Sequence, residues 1–277
     1  MKSLKVQDFN LKYTLECGQF FRFKESDGHY YVNTKDKFFK IKQEGDTLYY
    51  KGNIDEKFLI HFFRLDEDYK KIISNISKDK FIRLAVKKYP GLRLIRQDPY
   101  ECTISYICSS ASNIPKIQKN IALLSEHFGK EMNHDGICTH AFPKPGCIND
   151  LSKIKASSTG FRARYIYEAN KMLTSKFLKK LEKLPYDGAK KELVTIPGIG
   201  DKVADCILLF SLDHEEAFPV DVWIKRIIEQ LYFDNQEVPV KKIREFAKEH
   251  FKENAGYAQQ FLYYFAREKN DFTIYQN

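Results

Sequence analysis

The sequence predicts an α+β fold, with an antiparallel β-sheet near the amino end and a mostly α-helical remainder. Two observations predict it. Up to residue 50, short aromatic runs are separated by turn signals such as Asp27-Gly28 and Glu44-Gly45-Asp46, which is typical of antiparallel strands. From residue 54 onward, apolar residues recur at helical spacing. This change of period predicts a sheet domain with flanking helices over 1–97 and a helical region over 98–277.

Strands are predicted throughout residues 3–50. Apolar and polar residues alternate from Phe9 to Leu15, as in a strand with one buried face. Three further runs form an antiparallel meander, at 29–32, 37–41 and 47–50. The segment Leu92–Arg96 is predicted to be a short strand that returns to the sheet.

Helices are predicted from residue 54 to residue 89, where Pro90-Gly91 ends the run. Asp98-Pro99 begins the next helix, since aspartate caps a helix and proline suits its first turn. The remaining segments are, in order, a helix at 114–128, a loop at 129–150, basic amphipathic helices from 153 and a final helix at 255–267.

The stretch from Thr195 to Trp223 contains a tight turn between two helices. The turn Pro197-Gly198-Ile199-Gly200 precedes an apolar run, so a helix-hairpin-helix is predicted at about 191–210. Backbone N–H groups in such a turn favour an anion, for example a DNA phosphate, in front of the second helix. Lys202 is predicted in the first turn of that helix, and Asp221 is predicted to cap the next helix after a Pro219-Val220 break.

The bulk composition favours an intracellular protein that binds nucleic acid. The 277 residues carry 46 Lys and Arg against 37 Asp and Glu, a formal charge of +9, which suits a polyanion. The six cysteines include no C-x-x-C pair, so neither a zinc site nor another cofactor is predicted. No signal peptide or membrane span is read from the sequence. We expect a monomer with reduced thiols in the cytoplasm, at the nucleoid of a prokaryote.

Several blocks of residues resemble one enzyme family. Besides the hairpin and the Pro-x-Asp segment, these blocks are Cys17–Arg22, Asp98–Cys102, Tyr106–Ser110, Gly160–Tyr165 and Gly256–Gln259. In this order they resemble the 8-oxoguanine DNA glycosylase/AP lyase family of the helix-hairpin-helix superfamily, in its eukaryotic type, over nearly the whole chain. The resemblance implies that 8-oxoguanine is flipped out of double-stranded DNA and excised through a lysine Schiff base, with strand cleavage by β-elimination.

The resemblance implies that Lys202 and Asp221 are the catalytic residues. A neutral amine can attack the anomeric carbon as the base departs, and we expect the helix N-terminus to lower the pKa of Lys202. The Asp221 carboxylate would stabilise positive charge on the sugar. The plainer alternatives are that Lys202 clamps a phosphate or is merely solvated, and that Asp221 only caps its helix.

The resemblance also implies a pocket for the flipped base. Its residues are Gly18, Gln19, Cys206, Phe210, Gln259 and Tyr263. Normal guanine has an acceptor at N7, whereas 8-oxoguanine has an N–H there, so a carbonyl at Gly18 would select the lesion. Gln259 can donate and accept on the Watson–Crick edge. Tyr263 takes the stacking position, and Cys206, four residues after Lys202, contacts the lysine and the base.

Further residues are implied to contact DNA and the opposite base. The wedge is Ala111, or Ser112 or Asn113 if the loop is shifted. The readers of the opposite cytosine are Lys116, at a position where the resemblance implies an arginine, and Arg162, with Phe161 beside them. Gly198, Gly200 and Trp223 are implied at phosphates. No metal is predicted, apart from an ion that the carbonyls of Val194, Ile196 and Ile199 would hold by resemblance.

Two other functions compete with this interpretation. A non-catalytic helix-hairpin-helix DNA-binding module would require neither a lysine at 202 nor an aspartate at 221. A monofunctional alkylbase glycosylase of the same superfamily usually lacks the lysine. Both Lys202 and Asp221 are present, and covalent trapping with borohydride separates the three functions.

Overall fold

The structure, a computed structural model, describes residues 1–134 and 136–268. It begins with a five-stranded antiparallel sheet. The strands are β1 (Lys2–Lys5), β2 (Phe23–Ser26), β3 (His29–Thr34), β4 (Lys37–Glu44) and β5 (Thr47–Gly52). They lie side by side in the order β1-β5-β4-β3-β2. The predicted sheet is therefore confirmed, and its meander is the run from β2 to β5.

The segment that alternates around Leu11 is a helix, so the strand predicted there is wrong. Helix α1 spans Leu11–Glu16 and begins at Asn10, whose side chain accepts from the Tyr13 backbone N–H. Leu11 and Leu15 are one helical turn apart and both are buried. Four alternating residues satisfy a strand and a short helix equally well, and here the cap decides between them.

Leu92–Arg96 forms no strand and joins no sheet, so the returning strand is also wrong. Two backbone N–H groups of this segment donate to side chains instead of to a neighbouring strand. The Ile95 N–H donates to Gln19 Oε1 at 2.9 Å, and the Arg93 N–H donates to Thr14 Oγ1 at 3.2 Å. The predicted loop at 129–150 contains a two-stranded hairpin, which turn-rich composition does not reveal.

Helices make up most of the remainder, which confirms the α+β class. The helices before the β-hairpin are α2 (Glu56–Phe62), α3 (Tyr69–Ile76), α4 (Lys80–Lys88), α5 (Pro99–Ser109) and α6 (Ile114–Phe128). The hairpin strands are β6 (Glu131–His134) and β7 (Ile137–His140). The later helices are α7 (Leu151–Ala156), α8 (Arg162–Met172), α9 (Ser175–Leu181), α10 (Tyr186–Leu193), α11 (Asp201–Ser211), α12 (Val222–Tyr232), α13 (Val240–Phe251) and α14 (Ala255–Glu268).

Two apolar clusters hold these elements together. The smaller one lies under the sheet and joins it to α1 and α2, while the larger one gathers the helices. Helix α14 lies deep in the larger cluster and packs against α4, α12 and α13. Its Phe261 and Leu262 are fully buried, and burial of each such side chain stabilises the fold by about 1.5–3 kcal/mol.

Helices α3 and α4 belong to the larger, helical cluster although they precede residue 97. The division at residue 97 accordingly stays a prediction. Among the described residues, none of the helices combines the length and apolar character that a bilayer crossing requires.

Candidate active site

The turn of the predicted helix-hairpin-helix connects α10 to α11 and faces outward. Gly198 has φ +86°, and a Cβ on it would lie 2.6 Å from Cβ of Tyr165, so both its conformation and its close packing require glycine. Gly200 caps α11 without a side-chain hydrogen bond, which leaves that helix end suited to an anion. The Ile196 carbonyl accepts from the Ile199 N–H at 3.1 Å, and an ion at this turn stays a prediction.

Lys202 lies in the first turn of α11 with its ammonium turned inward. Its Nζ lies 5.3 Å from the centre of the Tyr106 ring, and Cys206, one helical turn later, lines the same cavity. Burial is the largest single influence and acts to lower the pKa of Lys202, but Cys206, Asp221 and Tyr263 together raise it above its usual value. The predicted lowering is therefore wrong.

Cys206 is a neutral thiol at neutral pH. Burial raises the pKa of Cys206 to about 12, although Lys202 opposes the rise. The charged neighbour that holds a proton on Lys202 at neutral pH is therefore the Asp221 carboxylate.

Asp221 caps α12 and lines the same cavity as Lys202. Its Oδ1 accepts from the Ile224 N–H at 2.8 Å, as its position after Pro219-Val220 predicts. The two catalytic candidates meet because the loop between α11 and α12 folds back. That loop is fixed by a Gly256 N–H donating to the Glu215 carbonyl at 2.7 Å and by an Arg64–Glu215 ion pair.

A cavity of about 390 Å³ lies between α5, α11, α12 and α14. It brings together most of the predicted site. The predicted residues that line it are Gly18, Asn113, Lys202, Cys206, Phe210, Asp221, Trp223, Gln259 and Tyr263. Phe210 stacks on Tyr106 with ring centres 5.6 Å apart, so one wall is flat and aromatic, as a planar heterocycle requires.

The segment containing Gly18 is held by hydrogen bonds from both sides. Gln260 Nε2 donates to the Cys17 carbonyl at 2.9 Å, and the Gln19 carbonyl accepts from Gln97 and Tyr106. Gly18 has φ +91°, in the left-handed region that favours glycine. The segment is therefore a rigid wall of the cavity.

Gln19 does not line the cavity, which corrects its predicted role in the base pocket. Its amide nitrogen donates to the carbonyls of Thr14 and Arg93, at 2.9 and 2.8 Å, and its amide oxygen accepts from Ile95. Gln19 instead joins the wall to the extended segment that follows α4.

Three polar atoms at the cavity have no hydrogen-bond partner within the part of the chain that the structure describes. They are Gln259 Oε1, Ser112 Oγ and Arg267 Nη1, and all three are out of solvent contact. Buried polar atoms are nearly always paired, so this cavity suits a ligand with donors and acceptors along its edges.

Sequence reasoning missed Tyr106 and Arg267 as cavity residues. Tyr106 begins one of the resembling blocks, and Arg267 lies eight residues after Gln259 on α14, hence on the same helix face. The spacing between Gln259 and Arg267 is therefore a sequence signal that identifies Arg267 as a cavity residue.

Four residues predicted at the opposite base, namely Ala111, Lys116, Phe161 and Arg162, are not among the residues that line the cavity. Ala111 and Lys116 are exposed, and the Phe161 side chain is 61% exposed. Arg162 is buried and donates to the carbonyls of Ser110 and Ala111 at 2.6 and 2.7 Å. In this conformation Arg162 holds the loop after α5 and does not reach outward, which corrects its predicted role as a reader.

Two other residues predicted to contact DNA, Asn113 and Trp223, do line the cavity. Asn113 caps α6, its side chain accepting from the Lys116 N–H at 3.0 Å, so its amide oxygen already has a partner. Trp223 is half-buried and lines the cavity, and its contact with a phosphate stays a prediction.

Comparisons with known proteins agree with this architecture. Residues 3–103 match the model of the 8-oxoguanine DNA glycosylase N-terminal domain. The chain is 31% identical to a probable N-glycosylase/DNA lyase of Methanothermobacter thermautotrophicus, over 69% of this chain and 68% of the relative. A second curated relative, an N-glycosylase/DNA lyase of Saccharomyces cerevisiae, is 32% identical over 65% of this chain. The match covers about half of the yeast protein, 53% of its length.

Solved structures resemble the chain over almost its full length. One is the structure of MBOgg1 in complex with a low affinity DNA ligand, with 37% identity, 97% and 96% coverage of the two chains and a TM-score of 0.92. Another is the Clostridium acetobutylicum 8-oxoguanine glycosylase/lyase in complex with double-stranded DNA containing cytosine opposite 8-oxoguanine, with 34% identity, 96% and 94% coverage and a TM-score of 0.91.

Proposed function

The chain belongs to the 8-oxoguanine DNA glycosylase/lyase family, and we propose that it excises 8-oxoguanine from double-stranded DNA with Lys202 as the nucleophile. The activity is that of a bifunctional N-glycosylase/DNA lyase. The observation that carries the assignment of the nucleophile is the meeting of Lys202 and Asp221 at one cavity of about 390 Å³.

The cavity walls support recognition of the flipped base. A base must leave the stack before an enzyme can reach its glycosidic bond. Gln259, whose Oε1 is unpaired among the described residues, would read the Watson–Crick edge. Tyr263 and Phe210 would enclose the ring, and the Gly18 carbonyl would accept from N7–H, which normal guanine lacks.

The raised pKa of Lys202 supports an order of events in which the glycosidic bond breaks first. The bonding electron pair stays on N9 of the base, and Asp221 stabilises the cationic sugar. The departing base then takes a proton from the Lys202 ammonium, and the neutral amine attacks the anomeric carbon. The product is a sugar covalently attached to Lys202 and a neutral 8-oxoguanine.

Strand cleavage follows from the same intermediate. Ring opening gives a Schiff base between Lys202 and the sugar, which withdraws electrons from the adjacent carbon. Loss of a proton there and departure of the 3′-phosphate complete the β-elimination, and hydrolysis frees the lysine.

DNA is the partner of this family, and the hairpin supports how it would dock. The outward turn at Gly198 and Gly200 would take a backbone phosphate, aided by a formal charge of +9. The proposal includes a monomer, no cofactor and a prokaryotic cytoplasm. The archaeal and clostridial relatives support the prokaryotic source.

Single-turnover assays on a duplex with one 8-oxoguanine opposite cytosine test the proposal. Comparing products with and without alkali separates base excision from strand cleavage. The parent should give both, and Lys202→Gln should give neither while still binding the duplex. Lys241→Gln is the matched control, since that side chain is 86% exposed on α13.

The competing functions give other outcomes. A DNA-binding module without catalysis would bind the duplex and yield no product. A monofunctional glycosylase would yield cleaved strand only after alkali. Normal excision by Lys202→Gln would contradict the proposed nucleophile.

A further inference from the structure

Arg267 extends the line of cavity residues along α14. Gln259, Tyr263 and Arg267 are spaced by four residues, so they lie above one another on one face of the helix, and all three line the cavity. The Arg267 guanidinium lies across two aromatic rings, with Cζ 5.9 Å from the centre of Tyr263 and 5.2 Å from that of Tyr264. A half-buried cation thus borders the pocket proposed for the base.

The two outer nitrogens of Arg267 are used differently. Nη2 donates to the Glu16 carbonyl, which anchors the side chain. Nη1 is out of solvent contact and has no hydrogen-bond partner among the described residues. An unpaired N–H that is out of solvent contact is costly, and the anchor at Glu16 fixes the direction in which that N–H is presented.

Nη1 lies against the wall formed by Gly18. A Cβ on Gly18 would lie 2.6 Å from Nη1, so the glycine leaves room for it. In the proposed function the Gly18 carbonyl meets N7–H of the lesion. The atom next to N7 on the ring is C8, which carries the oxygen that distinguishes 8-oxoguanine from guanine.

We propose that Nη1 of Arg267 donates a hydrogen bond to the 8-oxo oxygen of the flipped base. This proposal rests on the proposed function and adds a second lesion-specific contact to that of Gly18. Normal guanine presents C8–H at this place and accepts no hydrogen bond, so it would leave Arg267 unpaired. A site built around a polar contact rejects a ligand that cannot make it.

The same contact favours departure of the base. When the bond between the sugar and N9 breaks, its electron pair stays on N9, and the charge spreads through C8 to the 8-oxo oxygen. A guanidinium at that oxygen therefore gains more from the leaving base than from the intact nucleotide, which lowers the barrier. No atom is transferred to or from Arg267.

The competing role for Arg267 is structural, through its bond to Glu16. Two substrates separate the roles. In 8-thioguanine the N7–H is kept and the oxygen is replaced by sulfur, a weak acceptor. An abasic site has no base at all, so its cleavage by Lys202 does not depend on a contact to the 8-oxo oxygen.

The experiment measures single-turnover rates of Arg267→Met on all three substrates. Excision of 8-oxoguanine should slow about ten- to hundredfold, the effect of losing one charge-assisted hydrogen bond. The ratio of the 8-oxoguanine rate to the 8-thioguanine rate should fall, and abasic-site cleavage should match the parent. Lys88→Met is the control. Lys88 Nζ on α4 lies 5.4 Å from the centre of the Phe265 ring, which is on α14 like Arg267, but it pairs with Glu268 outside the cavity.

An unchanged ratio, with both bases slowed equally or neither slowed, would overturn the proposal. If Arg267→Met does not cleave the abasic site, Arg267→Lys takes its place, because one ammonium cannot serve both the Glu16 carbonyl and the base; its ratio must also fall. Failure of the proposed function is recognised separately, since the parent itself would then leave the abasic site intact.

Discussion

At the residue scale, Asp221 has two functions that one substitution can separate. Its carboxylate caps α12 through the Ile224 N–H and faces Lys202 across the cavity. Asparagine caps a helix about as well as aspartate but carries no charge to stabilise a cationic sugar.

We expect Asp221→Asn to slow excision by about a hundredfold or more, the scale of losing one electrostatic stabiliser. The melting temperature should change little. The control is Asp150→Asn, because Asp150 caps α7 in the same way, accepting from the Ser152 N–H at 2.8 Å. A large drop in melting temperature with normal excision per folded molecule would show that capping is the whole role of Asp221.

The site residues that the sequence predicted well are those whose role follows from position along one helix. Lys202 and Cys206 share a face of α11, and Gln259 and Tyr263 share a face of α14. Gln19 and Arg162 were predicted less well, because their partners are carbonyls remote in sequence, at Arg93 and at Ser110. The direction of such side chains depends on tertiary contacts that no local pattern contains.

At the element scale, a buried carboxylate holds the hairpin helices together. Asp205 of α11 is fully buried and accepts from Lys190 and the Tyr186 hydroxyl of α10, each at 2.7 Å. It also forms an ion pair with Arg244 of α13 at 3.2 Å. Burial raises the pKa of Asp205, and Lys190 opposes that rise.

We expect Asp205→Ala to lower the free energy of unfolding by about 1.5–3 kcal/mol, because the hydrogen bonds of a buried carboxylate to charged, half-buried partners are lost. Denaturant titration measures this loss. Glu245→Ala is the control, since Glu245 forms only an exposed pair with Lys241 at 3.9 Å, and such pairs contribute less than about 1 kcal/mol. Equal losses for the two variants would show that Asp205 does not hold the hairpin helices.

The loop that delivers Asp221 is joined to the sheet side by a charged cluster. Arg64 is fully buried and pairs with Glu67 at 2.7 Å and with Glu215 at 3.1 Å. Burial and the proximity of Glu67 raise the pKa of Glu215 to about 7, against the effect of Arg64. An unfolded glutamate titrates near pH 4.3, so between these values the folded protein binds more protons than the unfolded chain.

The contribution of Glu215 to stability should therefore fall as pH rises from about 4.3 through 7, since a group with a raised folded-state pKa stabilises the fold at low pH and loses that effect at high pH. Glu215→Gln should flatten this dependence, because glutamine stays neutral. Glu216→Gln is the control, a more exposed neighbour whose pKa is lowered by His214, against the effect of burial. Parallel pH curves for parent and Glu215→Gln would contradict this account.

The elements themselves were largely predictable. Periodicity and turn signals predict the meander and the main helices, and Asp98-Pro99 marks the start of α5. The exceptions are α1 and Leu92–Arg96. Both are short, and their conformation depends on contacts between them: the Arg93 N–H donates to Thr14 Oγ1 at 3.2 Å.

At the scale of the whole molecule, the face proposed for the opposite base has fewer fixed polar groups than the resembled family implies. Lys116 is exposed at a position where the resemblance implies an arginine, and a lysine lacks the planar fork of an arginine. Arg162 is bonded to backbone carbonyls. Discrimination between opposite bases should be weak as a result.

We expect 8-oxoguanine to be excised opposite A, G and T at rates closer to that opposite C than in the eukaryotic relatives. Lys116→Arg should raise the preference for C about ten- to hundredfold, the value of one good polar base contact. Single-turnover rates on four duplexes that differ only in the opposite base measure it. A parent preference for C above about a thousandfold, or no change in Lys116→Arg, would mean that Lys116 does not read that base.

The central claim is that the Lys202 amine is the nucleophile. It is tested most directly by borohydride reduction during turnover on DNA with one 8-oxoguanine, followed by mass-spectrometric mapping of the attached sugar. The account predicts a single reduced adduct on Lys202, absent in Lys202→Gln. An adduct on the amino terminus or on another lysine, or excision and strand cleavage without any adduct, would contradict it.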